Sequence, residues 1–355
     1  MRLAQFVLRD MVALHGHGGI RHMAIQANYA VLLNTNARRV SDGVREQISE
    51  IIDPSHVFSS GDRSEATDAI QKILELGYGT VFTAGGDGTV HQFINAVRDL
   101  DDIPRIGVLG LGTGNALAEI VSSGDPLSDL YNYVANPSDD TYSLPLCEVD
   151  GTTFAFGGVG IDAHILNDYS RLNERASGTP ARGLFRNVGG YITATVAMTI
   201  PRMMGQWVQR KKIRLRVTNL SERAYTIRNG DGNGGVVAAE HNRGDVLYDG
   251  PANTAIFGTC PFYGYRMKML PYAGIDPRMF HIRVSNVPTT KLVANARALW
   301  NGTLNDLQLW DFQADAVHLE FSEPMPVQLA GDAFGYRKEM TVRMAPQAVD
   351  LVRFI

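Results

Sequence analysis

Two glycine-rich stretches are the strongest candidates for chemistry in this sequence, GGDGT at 85–89 and GLGTGN at 110–115. Glycine lets a phosphate approach the peptide N–H groups closely, and a helix that begins near Thr89 would add donors and the positive end of its dipole. Asp87 is the unusual element, because a phosphate repels a carboxylate unless Mg²⁺ bridges them or the carboxylate takes a proton from an attacking hydroxyl. In the second loop, Thr113 and Asn115 offer hydrogen bonds to phosphate or base.

A tight turn between a strand and a helix is the alternative explanation of either loop alone, because such turns use the same residues. Two loops of this kind after neighbouring strands favour phosphate binding over coincidence. The sequence has no G-x-x-x-x-G-K-[ST] stretch, and the glycine spacing in the two loops does not fit G-x-G-x-x-G. The loops are therefore neither a Walker-type site nor a dinucleotide fingerprint.

The two loops lie between elements that alternate strand and helix from residue 27 onward. Apolar runs of strand length are followed by amphipathic stretches with capping residues, such as Ser41 before the first helix. This alternation predicts a parallel sheet with helices on its faces, in which ligands collect at the carboxyl ends of the strands. The predicted strands are YAVLL, HVFSS, GTVFTAG and RIGVLG, and the predicted helices are 42–52, 65–76 and one that ends at Arg98.

The pattern changes after about Pro145, where short strands with turn signals between them replace the alternation. This half of the sequence predicts an all-β or β-rich second domain. The stretches 184–204 and 291–300 are predicted to be helical, and 229–245 is predicted to be a long surface excursion. The predicted strands are TFAFGGVGI, KIRLRVTNL, NTAIFGTC, MFHIRV and VHLEFS.

Composition narrows the class of protein. The 355 residues carry a formal net charge of −4, which argues against a general nucleic-acid binder. Cys147 and Cys260 are the only cysteines, so we expect no disulfide framework or zinc site, and a reducing, cytoplasmic compartment. The N-terminus lacks the features of a secretory signal, and no apolar window is long enough to span a membrane. Residues 3–14 predict a short amphipathic helix that docks on the protein, frays or lies on a membrane.

Several motifs together resemble the diacylglycerol kinase catalytic family, which includes bacterial lipid kinases, sphingosine kinases and ceramide kinases. They occur in the family's order and extend the resemblance from about Asn28 to Ile355. PFYGYRMKMLP is similar to the family's aromatic, glycine-rich segment, and YSRLNER at 169–175 is similar to an Arg-bearing segment of sphingosine kinases. The other matching motifs are GGDGT, GTGNALA, FAFGGVGIDAHI at 154–165 and VQLAGDAFG at 327–335.

The resemblance implies an α/β plus β fold class: an NAD-kinase-like parallel α/β domain that binds ATP, and a C-terminal β-sandwich domain that binds the lipid. The implied ranges are 25–143 with 338–355 for the first domain and 144–337 for the second, after an N-terminal extension of 1–24. The last strand would return to the first domain. The implied reaction transfers the γ-phosphate of ATP, with Mg²⁺, to a hydroxyl of a long-chain lipid at a transiently contacted membrane surface. The oligomeric state stays open, with a homodimer as one option.

The resemblance also implies roles for single residues. Asp332 would be the base that removes the proton from the lipid hydroxyl, and Asp87 would be the second candidate and the metal ligand. Asp162 would lie near the substrate, and the planar guanidinium groups of Arg171 and Arg175 could reach triphosphate oxygens. The other implied nucleotide-binding residues are Asn34, Gly85, Gly86, Gly88, Thr89, Gly112, Thr113, Gly114 and Asn115.

The sequence departs from the family within these motifs. The family's usual D-G-E reads Ala330-Gly331-Asp332, so the first acid is missing and Asp332 remains to act as the base. Gln92 replaces the usual glutamate after GGDGT, and Ala116 replaces the usual aspartate after GTGN. These departures keep a non-catalytic lipid- or nucleotide-binding protein as the alternative. A kinase of a water-soluble substrate such as NAD shares GGDGT, but GVGIDA and GDAFG favour the lipid branch.

Three further features have ordinary explanations. Methionine and aromatic side chains in 184–204 are more often plain core than the wall of an acyl-chain groove. The basic run at 210–216 is of a kind that usually faces water rather than anionic lipid. His91 and His164 have no second histidine at ligand spacing, so each is predicted to be a hydrogen-bonding residue rather than a metal ligand.

Overall fold

The computed structural model describes residues 28–121, 123–160, 213–229, 234–263 and 266–354. The predicted N-terminal helix, the predicted helix at 184–204 and the basic positions 210–212 lie outside the described residues. Within the described ranges, no helix has the length and apolar character needed to cross a membrane.

The first half of the chain, together with one strand from its far end, forms a six-stranded sheet among the described residues. Its strands are β1 Tyr29–Asn34, β2 Val57–Ser60, β3 Thr80–Gly85, β4 Arg105–Gly110, β5 Thr141–Leu144 and β18 Val349–Val352. Their order across the sheet is β2-β1-β3-β4-β18-β5. All neighbouring strands are parallel except β5, which pairs antiparallel with β18. The predicted parallel α/β sheet is therefore confirmed.

Helices cover both faces of this sheet. Successive β3 residues alternate between two separate cores, since Val81 packs in one cluster and Phe82 in the other. A strand buried on both faces explains the uninterrupted apolar run of GTVFTAG. Ser41 caps the first helix by accepting a hydrogen bond from the Val44 N–H, as predicted. The helices are α1 Asp42–Ile51, α2 Arg63–Glu75, α3 Asp87–Val97, α4 Ala116–Ile120 and α5 Pro126–Ala135, with a 3₁₀ turn at Pro54–His56.

The described residues of the second half form a large antiparallel sheet of twelve strands, which confirms the predicted β-rich region. The stretch 229–245 is not simply a surface excursion, because 235–242 is a strand that pairs with the strand before it. The strands are β6 Cys147–Val149, β7 Thr152–Phe154, β8 Phe156–Gly160, β9 Ile213–Asn219, β10 Arg223–Asn229, β11 Gly235–Asn242, β12 Val246–Ala252, β13 Thr254–Gly258, β14 Phe280–Ser285, β15 Leu309–Ala314, β16 Ala316–Leu329 and β17 Asp332–Met344.

Two short helices interrupt this second half where one helical stretch, 291–300, is predicted. They are α6 Thr289–Ala294 and α7 Ala296–Trp300. At the end of the second sheet, β17 continues to Met344, and only then does the chain return to the first sheet as β18. The predicted start of the returning segment, residue 338, falls inside β17.

The two sheets are joined by a shared apolar core and by polar contacts. Phe156 and Ala330 of the second half pack in the same cluster as Val90 of α3. Asn95 of α3 donates from Nδ2 to the Thr153 carbonyl at 2.8 Å and accepts from the Thr153 N–H at 2.9 Å. Helix α3 is thus fixed against β7, which sets the position of its N-terminus relative to both sheets.

A buried group of charged residues lies on β14 and β15. Arg283 is 2% exposed and donates to both oxygens of Asp311, from Nε at 2.6 Å and from Nη2 at 3.0 Å. His281 is fully buried, and its Nε2 lies 2.8 Å from Asp311 Oδ1. Burial by itself would raise the pKa of Asp311, but the Arg283 charge and the His281 hydrogen bond outweigh it and lower that pKa to about 2.

Acid should destabilise the protein through His281. Burial lowers the pKa of His281 below 6.5, so below that pH the unfolded chain binds a proton that the folded chain does not. We expect the free energy of unfolding to fall between pH 7.5 and pH 5, and this loss should be smaller in His281→Gln, which keeps a donor but cannot be protonated. Urea unfolding at the two pH values measures both quantities. An equal loss in the variant would assign the acid sensitivity to other groups.

Candidate functional site

The two glycine loops lie side by side at the carboxyl ends of β3 and β4. Gly85 and Gly110 pair in register, and the Leu111 N–H donates to the Gly85 carbonyl at 2.8 Å. A Cβ at Gly112 would overlap the Cα of Gly86 and lie 2.9 Å from its nitrogen. The loops therefore approach each other as closely as two backbones can, which explains the glycines at these positions.

Gly112→Ala should disrupt this contact. The added methyl would meet backbone rather than a flexible side chain, so the two loops would have to separate. We expect nucleotide affinity to fall at least about tenfold, with a loss of stability of about 1–3 kcal/mol. Titration with a fluorescent ATP analogue and thermal unfolding would measure the two effects. Gly124→Ala is the matched control, because its Cβ would meet nothing within 4 Å; equal effects in both variants would contradict the prediction.

Asp87 joins the two loops. Its carboxylate accepts hydrogen bonds from the N–H groups of Ala116 at 3.0 Å and Leu117 at 3.1 Å, which begin α4. Burial raises the pKa of Asp87, and the hydrogen bonds from these N–H groups offset only part of the rise. Asp87 thus caps α4, and it would have to release these donors to ligate a metal ion or take a proton.

Asn34 and Thr89 meet beside the first loop. Asn34 Nδ2 donates to Thr89 Oγ1 at 3.0 Å, and Thr89 is almost fully buried. A Cβ at Gly85 would lie 2.8 Å from the Thr89 Cβ, so the glycine also makes room for this threonine. The structure therefore brings together Asn34, Gly85 and Thr89, which the resemblance implied for one nucleotide site. The Thr89 hydroxyl is hydrogen-bonded to Asn34.

Asn115 holds the second loop in shape. It adopts a left-handed conformation with φ of 53°, which asparagine tolerates. Its Oδ1 accepts from the Gly112 N–H at 3.0 Å, and its Nδ2 donates to the Gly110 carbonyl at 2.9 Å. Thr113 is exposed and Gly114 is half-buried, so these two residues form the open part of the loop.

Asp332 lies beside the first glycine loop, although it comes from the second sheet. Its Oδ2 accepts from Arg63 Nη2 at 3.0 Å and lies 3.3 Å from His91 Nδ1. A Cβ placed on Gly88 would lie 3.5 Å from the other oxygen, Oδ1. The carboxylate is 40% exposed, so it is open to a ligand and held by the protein at the same time.

A tight hairpin places Asp332 next to the first glycine loop. Leu329 pairs with Asp332, and the two residues between them, Ala330 and Gly331, have φ of 49° and 84°. Both positive angles are typical of a two-residue turn of type I′. Ala330 is buried, and its N–H donates to the Phe156 carbonyl at 2.8 Å. The position where the family has an acid is therefore occupied by core-packed alanine, and Asp332 is the carboxylate that this turn presents.

Sequence reasoning missed Arg63 and gave His91 no specific partner. Arg63 begins α2 just after β2, whose carboxyl end shares an edge with the glycine loops, and this placement could have drawn attention to it. Gln92 donates to the Arg63 carbonyl at 2.9 Å and so supports the start of α2. Asp162, Arg171 and Arg175 lie outside the described residues.

Comparisons with known proteins confirm the resemblance. Residues 28–139 match the family model of the diacylglycerol kinase catalytic domain. A probable lipid kinase YegS-like of Enterobacter is 37% identical over 90 residues, which are 24% of this chain and 29% of that protein. The lipid kinase YegS of Escherichia coli K12 is 29% identical over 111 residues, 30% of this chain and 36% of that protein. These alignments therefore span about a third of the curated relatives.

Solved structures extend the likeness in fold to most of the chain. A putative diacylglycerol kinase from Bacillus anthracis superposes with a TM-score of 0.62 at 16% sequence identity, covering 92% of this chain and 97% of that one. A second diacylglycerol kinase structure from the same organism gives a TM-score of 0.60 at 14% identity. At these identities the comparison establishes the shared fold.

Proposed function

We propose that this protein is an ATP-dependent lipid kinase that transfers the γ-phosphate to a hydroxyl of a long-chain lipid. The observation that carries the proposal is the position of Asp332, whose Oδ1 faces Gly88 in the first of two adjoining glycine loops. A carboxylate at that place can accept the proton of a hydroxyl that attacks a phosphate bound on the loop. The names of the aligned relatives, a probable lipid kinase and a lipid kinase, support the acceptor class.

The loops supply the parts of a phosphate site. Asp87 and Gly88 begin α3, and the first N–H groups of a helix have no partner within it, so the positive end of the helix dipole there favours an anion. The next N–H group, that of Thr89, donates to the Gly86 carbonyl at 2.9 Å. The exposed Thr113 adds a hydroxyl from the second loop. Arg63 is 74% exposed on a long stem, so its guanidinium can move from Asp332 to a nearby phosphate. The conformation of this backbone would depend mainly on Asn34, Asn115 and the loop glycines.

The protein offers few side-chain ligands for Mg²⁺ at this site. The described residues place no group of three ligand side chains at the loops, and the oxygens of Asp87 are held by N–H donors. Magnesium usually takes one or two carboxylates, with substrate phosphates and waters completing its shell. Asp87 would be its protein ligand here if α4 moved. When bound, the ion would neutralise charge on the transferring phosphate.

In the proposed reaction the protein accepts a proton and forms no covalent bond to the substrates. Asp332 takes the proton from the lipid hydroxyl, the hydroxyl oxygen bonds to the γ-phosphorus, and the bond from that phosphorus to the bridging oxygen breaks as ADP leaves. Catalysis then rests on positioning and charge neutralisation. One carboxylate suffices for the proton transfer, which is consistent with alanine at position 330.

The acceptor class and the place of action complete the proposal. We propose a diacylglycerol or a sphingoid or ceramide lipid as acceptor, met at the surface of a membrane from the cytoplasmic side. Residues 25–143 with 338–355 would bind ATP, and 144–337 would bind the lipid. Asp162, Arg171 and Arg175 keep their proposed places near substrate and triphosphate.

Transfer of labelled γ-phosphate tests the proposal. The full-length protein is incubated with Mg²⁺ and labelled ATP, and with detergent-dispersed diacylglycerol, sphingosine, ceramide and monoacylglycerol, and with dissolved NAD, in parallel arms. Label in one lipid is expected and would name the acceptor. Label in a water-soluble acceptor such as NAD alone would replace the lipid with another substrate class. ATP binding without transfer in any arm would establish the non-catalytic alternative that Ala330, Gln92 and Ala116 keep open.

A further inference from the structure

Two hydrogen-bonding groups converge on one oxygen of Asp332. Arg63 Nη2 lies 3.0 Å from Oδ2, and His91 Nδ1 lies 3.3 Å from the same atom. No described residue donates a hydrogen bond to Oδ1, the oxygen nearer to Gly88. The carboxylate is therefore asymmetric, with one oxygen held by the protein and the other directed toward the glycine loop.

His91 is the more rigid of the two partners. It is 7% exposed, and it lies three residues after Gly88 on α3, so it shares a helix face with the loop. Asn95, which fixes α3 to β7, also donates to the His91 carbonyl at 2.9 Å. Arg63 is 74% exposed, by contrast. His91 is thus built into the same element as the phosphate loop, whereas the Arg63 side chain is free to move.

The surroundings of the ring indicate which nitrogen carries the proton. Nε2 of His91 is buried without a hydrogen-bond partner among the described residues. A proton on Nε2 would leave a buried N–H donor unpaired. With the proton on Nδ1, Nδ1–H donates to Asp332 Oδ2 and no ring donor is left without a partner.

We propose that His91 is a positioning residue that orients the Asp332 carboxylate, so that Oδ1 is the atom that takes the proton of the acceptor hydroxyl. This inference rests on the proposed kinase function. In the step itself, the acceptor's O–H bond breaks and its proton passes to Oδ1. The oxygen forms a bond to the γ-phosphorus, and ADP leaves with the electron pair of the broken phosphorus–oxygen bond. His91 touches neither reactant and acts through Oδ2.

Three substitutions separate this role from simple packing. His91→Asn places its amide N–H near the position of Nδ1, His91→Gln places one near Nε2, and His91→Leu places none. We expect His91→Leu and His91→Gln to lower kcat by about 10²-fold, because a loose carboxylate misplaces the base by about 1 Å. The KM for ATP should change little in all three. His91→Asn should recover most of the lost turnover.

Three kinetic outcomes would overturn the inference. If kcat falls equally in all three variants and tracks their melting temperatures, His91 only fills space in the core. If kcat is unchanged in His91→Leu, Asp332 needs no orientation by His91. A rise in the KM for ATP at constant kcat would make His91 a nucleotide-binding residue instead.

A second measurement does not depend on turnover. Nitrogen NMR of the full-length protein with ¹⁵N-labelled histidine, assigned with His91→Asn, reports which ring nitrogen of His91 carries the proton. We expect a protonated Nδ1 and an unprotonated Nε2. A protonated Nε2 would overturn the role of His91 and leave the kinase proposal intact, whereas absence of phosphate transfer by the unmodified protein would remove the kinase proposal itself.

Discussion

Asp332→Asn is expected to lower kcat by about 10²- to 10⁴-fold, because an amide cannot take the proton of the acceptor hydroxyl. The substitution keeps an oxygen that can accept from Arg63 and His91, so the hairpin and the glycine loops should stay in place. The affinity for ATP should therefore change little. Initial rates of labelled phosphate transfer give kcat, and titration with an ATP analogue gives the affinity.

An exposed aspartate elsewhere in the first sheet serves as the control for Asp332. Asp350 lies on β18 with its side chain in water, so Asp350→Asn should leave both rate and affinity near those of the unmodified protein. Near-normal turnover in Asp332→Asn would remove Asp332 from the role of base and return attention to Asp87, whose oxygens would first have to release the N–H groups of α4.

Asp311→Ala is expected to destabilise the protein by about 3–5 kcal/mol, the range known for removing one partner of a buried ion pair. Arg283 would keep its charge in a place where it is 2% exposed and would lose two hydrogen bonds. His281 would lose its partner in the same step. Urea unfolding followed by circular dichroism measures the change.

The ion pair between Arg214 and Asp249 is the matched control for this prediction. The two groups lie 2.8 Å apart, and the Asp249 side chain is 43% exposed, so Asp249→Ala should cost no more than about 1 kcal/mol. Replacing Arg283 and Asp311 together by apolar residues of similar size should restore much of the stability lost in Asp311→Ala. A loss of less than about 1 kcal/mol in Asp311→Ala would show that water reaches this group.

Local patterns predicted the first sheet well because its parallel strands are continuous apolar runs separated by capped helices. β3 and α1 follow directly from such patterns. The second sheet was predicted as a β-rich class without its order, because its neighbours are far apart in sequence, as β8 is from β16. The strand β11 was missed because glycines at both ends of the stretch resemble a loop.

In the candidate site too, local features could be predicted from the sequence and long-range contacts could not. The glycine loops could be predicted because each is a local motif at the end of a strand. The partners of Asp332 could not be predicted from local motifs, since His91 and Arg63 are 241 and 269 positions away from it in the sequence. The contacts of Asp87 were also hidden, because they depend on how closely the two loops approach each other. Long-range packing decides which side chains of a motif remain open to a ligand.

The position of β18 has a consequence for how the protein is made. β18 lies between β4 and β5, and its residue Val349 pairs with Leu144, which is 205 positions earlier in the chain (349 − 144 = 205). At about 5–20 residues per second, a ribosome needs about 10–40 s to bridge that interval. During this time β4 and β5 have open edges, which invite pairing with other chains. The nascent protein is thus exposed to aggregation until the returning strand emerges, and its first sheet completes after synthesis of the second.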